Sequence, residues 1–157
     1  MRQLLADEEV GHLGLSDEGQ PYVVPLSYAY LEGRIVIHCA TKGRKVTVLR
    51  RNAACCFAVN RHPDKVRYHA EKRCHYRYQS VLAFGQARWI ESAAERLQWL
   101  TKFRDHFSRR LGHTIPPQLD LQTAAKVGLI VIEIESLTGR REEDADPKAH
   151  LSEPLEP

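Results

Sequence analysis

The sequence predicts a mainly β protein, a small antiparallel barrel of six short strands with helices packed outside, and three observations carry that reading. Short β-branched and aromatic runs alternate with turn signals along the chain. One short amphipathic stretch near the middle and one long capped stretch before the last strand supply the main helical patterns. Neither an internal repeat nor a linker divides the 157 residues, of which 43% are hydrophobic and 27% charged, an ordinary mix for one globular domain.

The elements follow in order. Leu4 to Glu8 reads as the end of a short helix, and Val10 to Leu15 as a first strand closed by the turn sequence Ser16-Asp17-Glu18-Gly19-Gln20-Pro21. Tyr22 to Tyr30 is expected to be the second strand, with Pro25 marking a bulge or a sheet edge because it has no N–H to give to a ladder. Leu31-Glu32-Gly33-Arg34 is a second turn and Arg34 to Cys39 a third strand, which makes the first third a three-stranded meander. From Gly43 the period changes: Val46 and Leu49 stand on one side of a short helix that ends near Asn52.

Ala53 to Asn60 returns to strand character, and Arg61 to Arg77 reads as a long exposed connection rich in His, Lys and Arg. Tyr78 to Ile90 is a strand in which Gly85 signals a bulge or a close backbone approach. Ser92 to Glu95 has the capping-box pattern, and Leu97, Leu100, Phe103, Phe107 and Leu111 recur at helical spacing until Gly112. Thr114 to Thr123 is a connection, and Val127 to Leu137 is the final strand, with Ile130, Ile132 and Ile134 opposed to Glu133 and Glu135. The acidic segment 142–157 is expected to be a disordered tail beyond a domain of residues 1–141.

Charge and cysteine usage narrow the classes. The formal charge of +3 hides an asymmetry, because residues 1–141 carry 22 cations against 14 anions; such an excess attracts phosphates on a small molecule or on nucleic acid. No apolar run approaches the roughly 20 residues of a membrane span, and Met1 to Glu9 is too acidic for a secretory signal, so a cytoplasmic protein is expected. Cys39, Cys55, Cys56 and Cys74 form no C-x-x-C and read as reduced thiols. His62, His69, Cys74 and His75 match no common zinc spacing, so no metal is expected.

The stretch Tyr22 to Lys45 carries the most chemistry. Two apolar strands run into Lys42-Gly43-Arg44-Lys45, a basic turn that opens a helix. Three cations, one permissive backbone position and the positive end of a helix dipole suit a phosphorylated flat ligand. The plainer alternative is a hairpin followed by a solvated basic helix start.

The residues GQPYVVPLSYAYLEGRIVIHCATKGRKVTVLRRN, then YQSVLAFGQARWIES and IVIEIESLTGR, resemble the pyridoxamine-5′-phosphate-oxidase-like FMN-binding split-barrel superfamily, and within it the nitroimidazole-resistance-related flavoproteins. The resemblance covers residues 1–141. It implies FMN at the interface of a homodimer, with Arg44 and Lys45 on the phosphate, aided by Gly43 and the helix start behind it. Pro25, Leu26 and Ser27 would run beneath the isoalloxazine ring, His38, Cys39 and Ala40 would flank the ring and ribityl chain, and Gln79 and Ser80 would reach the flavin's polar edge or its phosphate.

His38 is given contact and no proton transfer, and Trp89 and Trp99 are expected to fill core or interface. The chain lacks the terminal Trp and the Arg and His pair of true pyridoxamine-phosphate oxidases, so vitamin B6 oxidation is not expected. The resemblance implies an FMN-dependent oxidoreductase that passes electrons from a reduced nicotinamide donor to a small nitroaromatic or quinone-type acceptor, with no catalytic side chain of its own. A non-catalytic flavin- or haem-binding module is the second reading. Nucleic-acid binding through the run Arg67 to Tyr78 is a distant third.

Overall fold

The structure is a computed structural model that describes residues 1–62, 67–68, 74–75, 78–112 and 119–142. Its elements are α1 (Arg2–Asp7), β1 (Val10–Asp17), β2 (Gln20–Ser27), β3 (Ala29–Leu31), β4 (Arg34–Cys39), α2 (Arg44–Arg51), β5 (Ala54–Arg61), β6 (Arg67–Tyr68), β7 (Cys74–His75), β8 (Tyr78–Trp89), α3 (Ala93–Leu111), α4 (Leu121–Lys126) and β9 (Gly128–Glu142). Every pairing is antiparallel, and one seven-stranded sheet runs β2-β1-β5-β8-β9-β4-β3. The sheet curls so that β2 comes against β4 across the open seam, giving the split barrel.

The main sheet therefore has seven strands where six were expected, and the added one comes from Tyr22 to Tyr30. That run breaks at Tyr28, whose side chain is fully buried, whose N–H goes to the Glu9 carbonyl at 2.9 Å and whose hydroxyl donates to the Leu5 carbonyl at 2.8 Å. The N–H bond to Glu9 is the last rung beside β1, the side chain turns into the core, and beyond it the chain passes from one edge of the sheet to the other. The expected meander is in consequence two hairpins, β1–β2 and β3–β4, and β2 does not pair with β4. The edge position at Pro25 is as expected, since β2 is a terminal strand.

Both hairpins close through a Glu-Gly pair with positive φ at each residue, Glu18-Gly19 and Glu32-Gly33, the left-handed geometry that matches strand twist. At Gly85 the β8–β9 register shifts, and a Cβ there would collide with the Glu133 carbonyl. Within Arg61 to Arg77, read as one connection, β6 and β7 form a two-stranded ribbon. Residues 63–66, 69–73, 76–77 and 113–118 lie outside the described residues, as do the expected tail from 143 onward and His69 of the metal reading.

Two cores form. Inside the barrel, Leu13, Leu15, Tyr28, Ile37, Phe57 and Ile132 pack together, closed off by Leu4 and Leu5 of α1 and by Val48 and Leu49 of α2. On the outer side of β3, β4 and β9, the residues Val36, Leu129 and Val131 meet Trp99, Leu100 and Phe103 of α3 and Ala124 of α4. The first half of β9 is thus apolar on both faces, where the sequence suggested one apolar face only. Ser92 caps α3 through the Glu95 N–H at 3.4 Å, and Gly112 ends it with φ +71°, as the sequence indicated. Arg96, nearly buried, ties the start of α3 to the Ile90, Glu91 and Ala125 carbonyls.

Candidate functional site

The basic turn lies where β4 hands over to α2. Gly43 is the N-cap with φ +127° and ψ +169°, a conformation open essentially to glycine alone. Its carbonyl accepts from the Val46 N–H at 3.0 Å and the Thr47 N–H at 3.1 Å. No side chain caps this helix, so the Arg44 and Lys45 amides are without an acceptor among the described residues. Uncapped amides at the positive end of a helix dipole form an anion-receptive corner.

The cations at this corner differ in state. The Arg44 guanidinium donates to Asp17 Oδ2 from Nε and Nη2, each at 3.3 Å, and lies over the Tyr22 ring at 4.8 Å. Arg51 pairs with Asp17 and Glu18. Lys42 and Lys45 make no ion pair among the described residues. Lys45 is half-buried and stands close enough to Cys39 for its charge to act on the thiol, although burial dominates and pushes the Cys39 pKa up.

The end of β4 leads directly into this turn. Cys39 pairs with Gly128 and His38 with Leu129, and β2 comes against β4 across the seam. Leu26 and Cys39 are both half-buried against the barrel core, while Pro25, Ser27, His38 and Ala40 are exposed. The His38 ring stands edge-on to Phe103 at 4.8 Å, and desolvation lowers its pKa. At neutral pH both His38 and Cys39 are therefore uncharged. Trp89 fills space as expected: its ring meets Gly128, where a Cβ would also crowd the Ala40 and Cys39 carbonyls, and its buried Nε1 has no hydrogen-bond partner among the described residues.

Gln79 and Ser80 are elsewhere. Along the β5–β8 ladder Ala54 faces Gln86 and Arg61 faces Gln79, which puts the ends roughly 23 Å apart at about 3.3 Å per residue. Arg44 is anchored through Asp17 at the Ala54 end, beyond the Leu15–Cys55 pair. Within one chain the structure thus brings His38–Ala40 and Gly43–Lys45 together at the β4–α2 junction, with Pro25 and Leu26 paired to His12 and Gly11 of β1, and leaves Gln79 and Ser80 at the far end of the β5–β8 ladder. There they line a cavity of 510 Å³ with Arg61, Arg140, Arg141 and Asp7. Sequence reasoning did not single out Asp17, Tyr22 or Arg61, because their roles depend on partners far along the chain.

On β2, β1, β5 and β8 the outer face of the sheet carries no helix among the described residues. Val23, Gly14, Cys56 and Phe84 align in one row across β2, β1, β5 and β8, and Pro25, His12, Ala58 and Leu82 in the next. Val23 is 62% exposed and Phe84 39%. The exposed side chains among them form an apolar patch on this side of the sheet.

These features define the class of small split-barrel β proteins, here a seven-stranded sheet with an uncapped basic turn at its rim. The chain belongs to the pyridoxamine 5′-phosphate oxidase family, whose profile matches residues 1–141. No curated protein matches it. Among solved structures it is similar to a candidate 5-nitroimidazole antibiotic resistance protein from Bacteroides thetaiotaomicron, with 22% identity over 87% of this chain and 79% of that one and a TM-score of 0.73. It is also similar to an FAD- and haem-binding protein from Mycobacterium smegmatis, with 18% identity, 95% and 74% coverage and a TM-score of 0.75. An FAD-binding protein from Mesorhizobium loti gives 23% identity, 90% and 91% coverage and a TM-score of 0.65. At these identities the likeness establishes the fold. Among the described residues no helix is long and apolar enough to cross a membrane.

Proposed function

We propose that this chain is a flavin-binding redox protein that works as a homodimer, holding FMN with its phosphate at the Gly43–Lys45 turn. The observation that carries the reading is the uncapped start of α2, where free amides coincide with the unpaired Lys45. The residues present fit the group: Lys45 supplies a mobile charge, Arg44 a fork already oriented by Asp17 and Tyr22, and Leu26 and Cys39 an apolar edge on which a flat ring can rest. The flavin-binding proteins of the same fold support the class of cofactor.

A bound flavin supplies the two-electron chemistry, and the chain supplies position, water exclusion and local polarity. Because His38 and Cys39 are neutral at pH 7, neither presents a charge to the ring, and the nearest fixed charges are those of the phosphate corner. Electrons pass from a reduced nicotinamide donor to a small nitroaromatic or quinone-type acceptor in this reading. Dimerisation completes the site: a second copy on the helix-free face brings Gln79 and Ser80 of the partner subunit to the corner that one chain leaves without them.

The absorbance spectrum of the purified protein tests the proposal. A flavin spectrum bleached by reduced nicotinamide and restored by a nitroaromatic supports the enzyme. A bound flavin that stays oxidised under those conditions, or a haem Soret band, supports a non-catalytic module, and a colourless protein that fails to bind added FMN or FAD removes the reading altogether.

A further inference from the structure

His38, the side chain expected to flank the flavin ring, is held from outside the strand that carries it. We infer that Phe103 of α3 is a positioning residue for the flavin site: its ring fixes the His38 imidazole in one orientation beside the cofactor and shields it from water on the α3 side. The role rests on the flavin reading proposed above, whereas the contact between the two rings belongs to the fold itself.

His38 and Val36 stand two residues apart on β4 and so share its outer face. On that face Val36 joins Leu129 and Val131 of β9 against Trp99, Leu100 and Phe103 of α3. The His38 ring meets Phe103 with centroids 4.8 Å apart and planes at 77°, the edge-to-face arrangement that aromatic pairs prefer. Phe103 is buried while His38 as a whole stays exposed. The cover is therefore one-sided, and the imidazole keeps an open side for a ligand.

Phe103 can impose an orientation because its own place is fixed. Ser92 caps α3, and Arg96 ties the start of the helix to the Ile90, Glu91 and Ala125 carbonyls. One turn on, Phe107 packs against Phe103 with centroids 4.9 Å apart, and His106 meets Phe107 at 5.2 Å. A group held from a packed helix keeps its geometry better than one held from a loop. The state of His38 agrees: burial is the cause of its lowered pKa. Around it Cys39 on β4 is a neutral thiol, Leu129 on β9 is apolar, and the charges beside Phe103 on α3, those of Lys102 and Arg104, are paired with Glu32 and Asp105.

The test is an NMR titration of the His38 ring in the flavin-free native chain and in Phe103→Leu and Phe107→Leu variants. The first variant removes the ring that touches His38; the second disturbs the same outer core one turn away. The His38 pKa should move up towards the ordinary 6.5 in the Phe103 variant only, as water reaches the imidazole. Added FMN should shift the His38 resonances of the native chain. At about pH 6 the flavin midpoint potential should then be higher in Phe103→Leu than in the native chain, and equal at about pH 8, because an imidazolium beside the ring favours its reduced form. Combining Phe103→Leu with His38→Gln should abolish the difference. Equal His38 titrations in the native and Phe103→Leu chains, the same upward shift in Phe107→Leu, or a potential difference that survives His38→Gln overturns the role of Phe103. A native chain that takes up neither FMN nor FAD removes the flavin reading and this role with it, whereas flavin uptake that leaves the His38 resonances unmoved rejects the role alone.

Discussion

Arg44 is oriented before any ligand arrives, held by Asp17 and stacked on Tyr22, whereas Lys45 one residue later has no ionic partner among the described residues. Lys45→Ala should then weaken flavin binding about tenfold or more, the value of one charge-assisted contact of about 1.5–3 kcal/mol. Removing Arg44 as well should bring the loss to roughly a hundredfold if the effects approximately add. Fluorescence titration with FMN measures both, and unchanged affinity in the double variant would reject the corner. His38 yields a pH prediction. Burial lowers its folded pKa below the ordinary 6.5, so the unfolded chain takes up a proton first as pH falls. Its contribution is complete above pH 6.5 and shrinks as pH drops from there towards the folded value. A His38→Gln variant should show a flatter dependence of urea midpoint on pH over that window. The turn residues themselves were legible in the sequence because three cations around one glycine stand out locally. Their partners were not, since Asp17 and Tyr22 lie more than twenty residues upstream and only the fold brings them to Arg44.

At the level of elements, local signals served best where the physics is local. The Ser92 cap, the apolar spacing of α3 and the Gly112 stop all lie within one helix, and the structure follows them. Gly85 was legible as a close approach for the same reason, and Gly85→Ala should cost about 1–3 kcal/mol by forcing the β8–β9 backbones apart. Urea denaturation gives that figure directly, and a neutral substitution would mean the bulge can relax. The break at Tyr28 was hidden because the apolar residues continue through it, and the carbonyl that holds its hydroxyl, that of Leu5, lies in another part of the chain. The end of β9 was missed for a different reason. Thr138 to Glu142 carry no apolar alternation, and they are strand because Tyr78 to Leu82 offer them a ladder.

For the whole molecule, the proposed dimer rests on the exposed outer face of β2, β1, β5 and β8. Leu82 and Phe84 stand on it in adjacent rows, on the side of β8 that faces away from the barrel core. A Leu82→Glu/Phe84→Glu variant should sediment as a monomer at concentrations where the native chain is a dimer, and it should lose flavin along with its partner. Because both side chains are exposed in the single chain, the fold should survive, which near-ultraviolet circular dichroism checks. A variant that stays dimeric, or a monomer that keeps its flavin, would count against the shared site. The resemblance implied a flavin shared between two copies, and the distance of Gln79 from the Ala54 end of the ladder gives that expectation a geometric form.

The place of β9 between β8 and β4 has a consequence for how the protein is made. Before that strand exists the sheet is two unconnected pieces, β2-β1-β5-β8 and β4-β3, each with a bare edge towards the gap. A ribosome emits β9 last of all the strands, so the barrel stays open until nearly every residue of the matched region has emerged. Pairings such as Ile35 with Ile132 close very long loops, and folding in milliseconds to seconds, roughly the range of β-rich topologies, is expected. During that interval the bare edges of β8 and β4 are exposed to other nascent chains, and shielding by a chaperone would be worth most there.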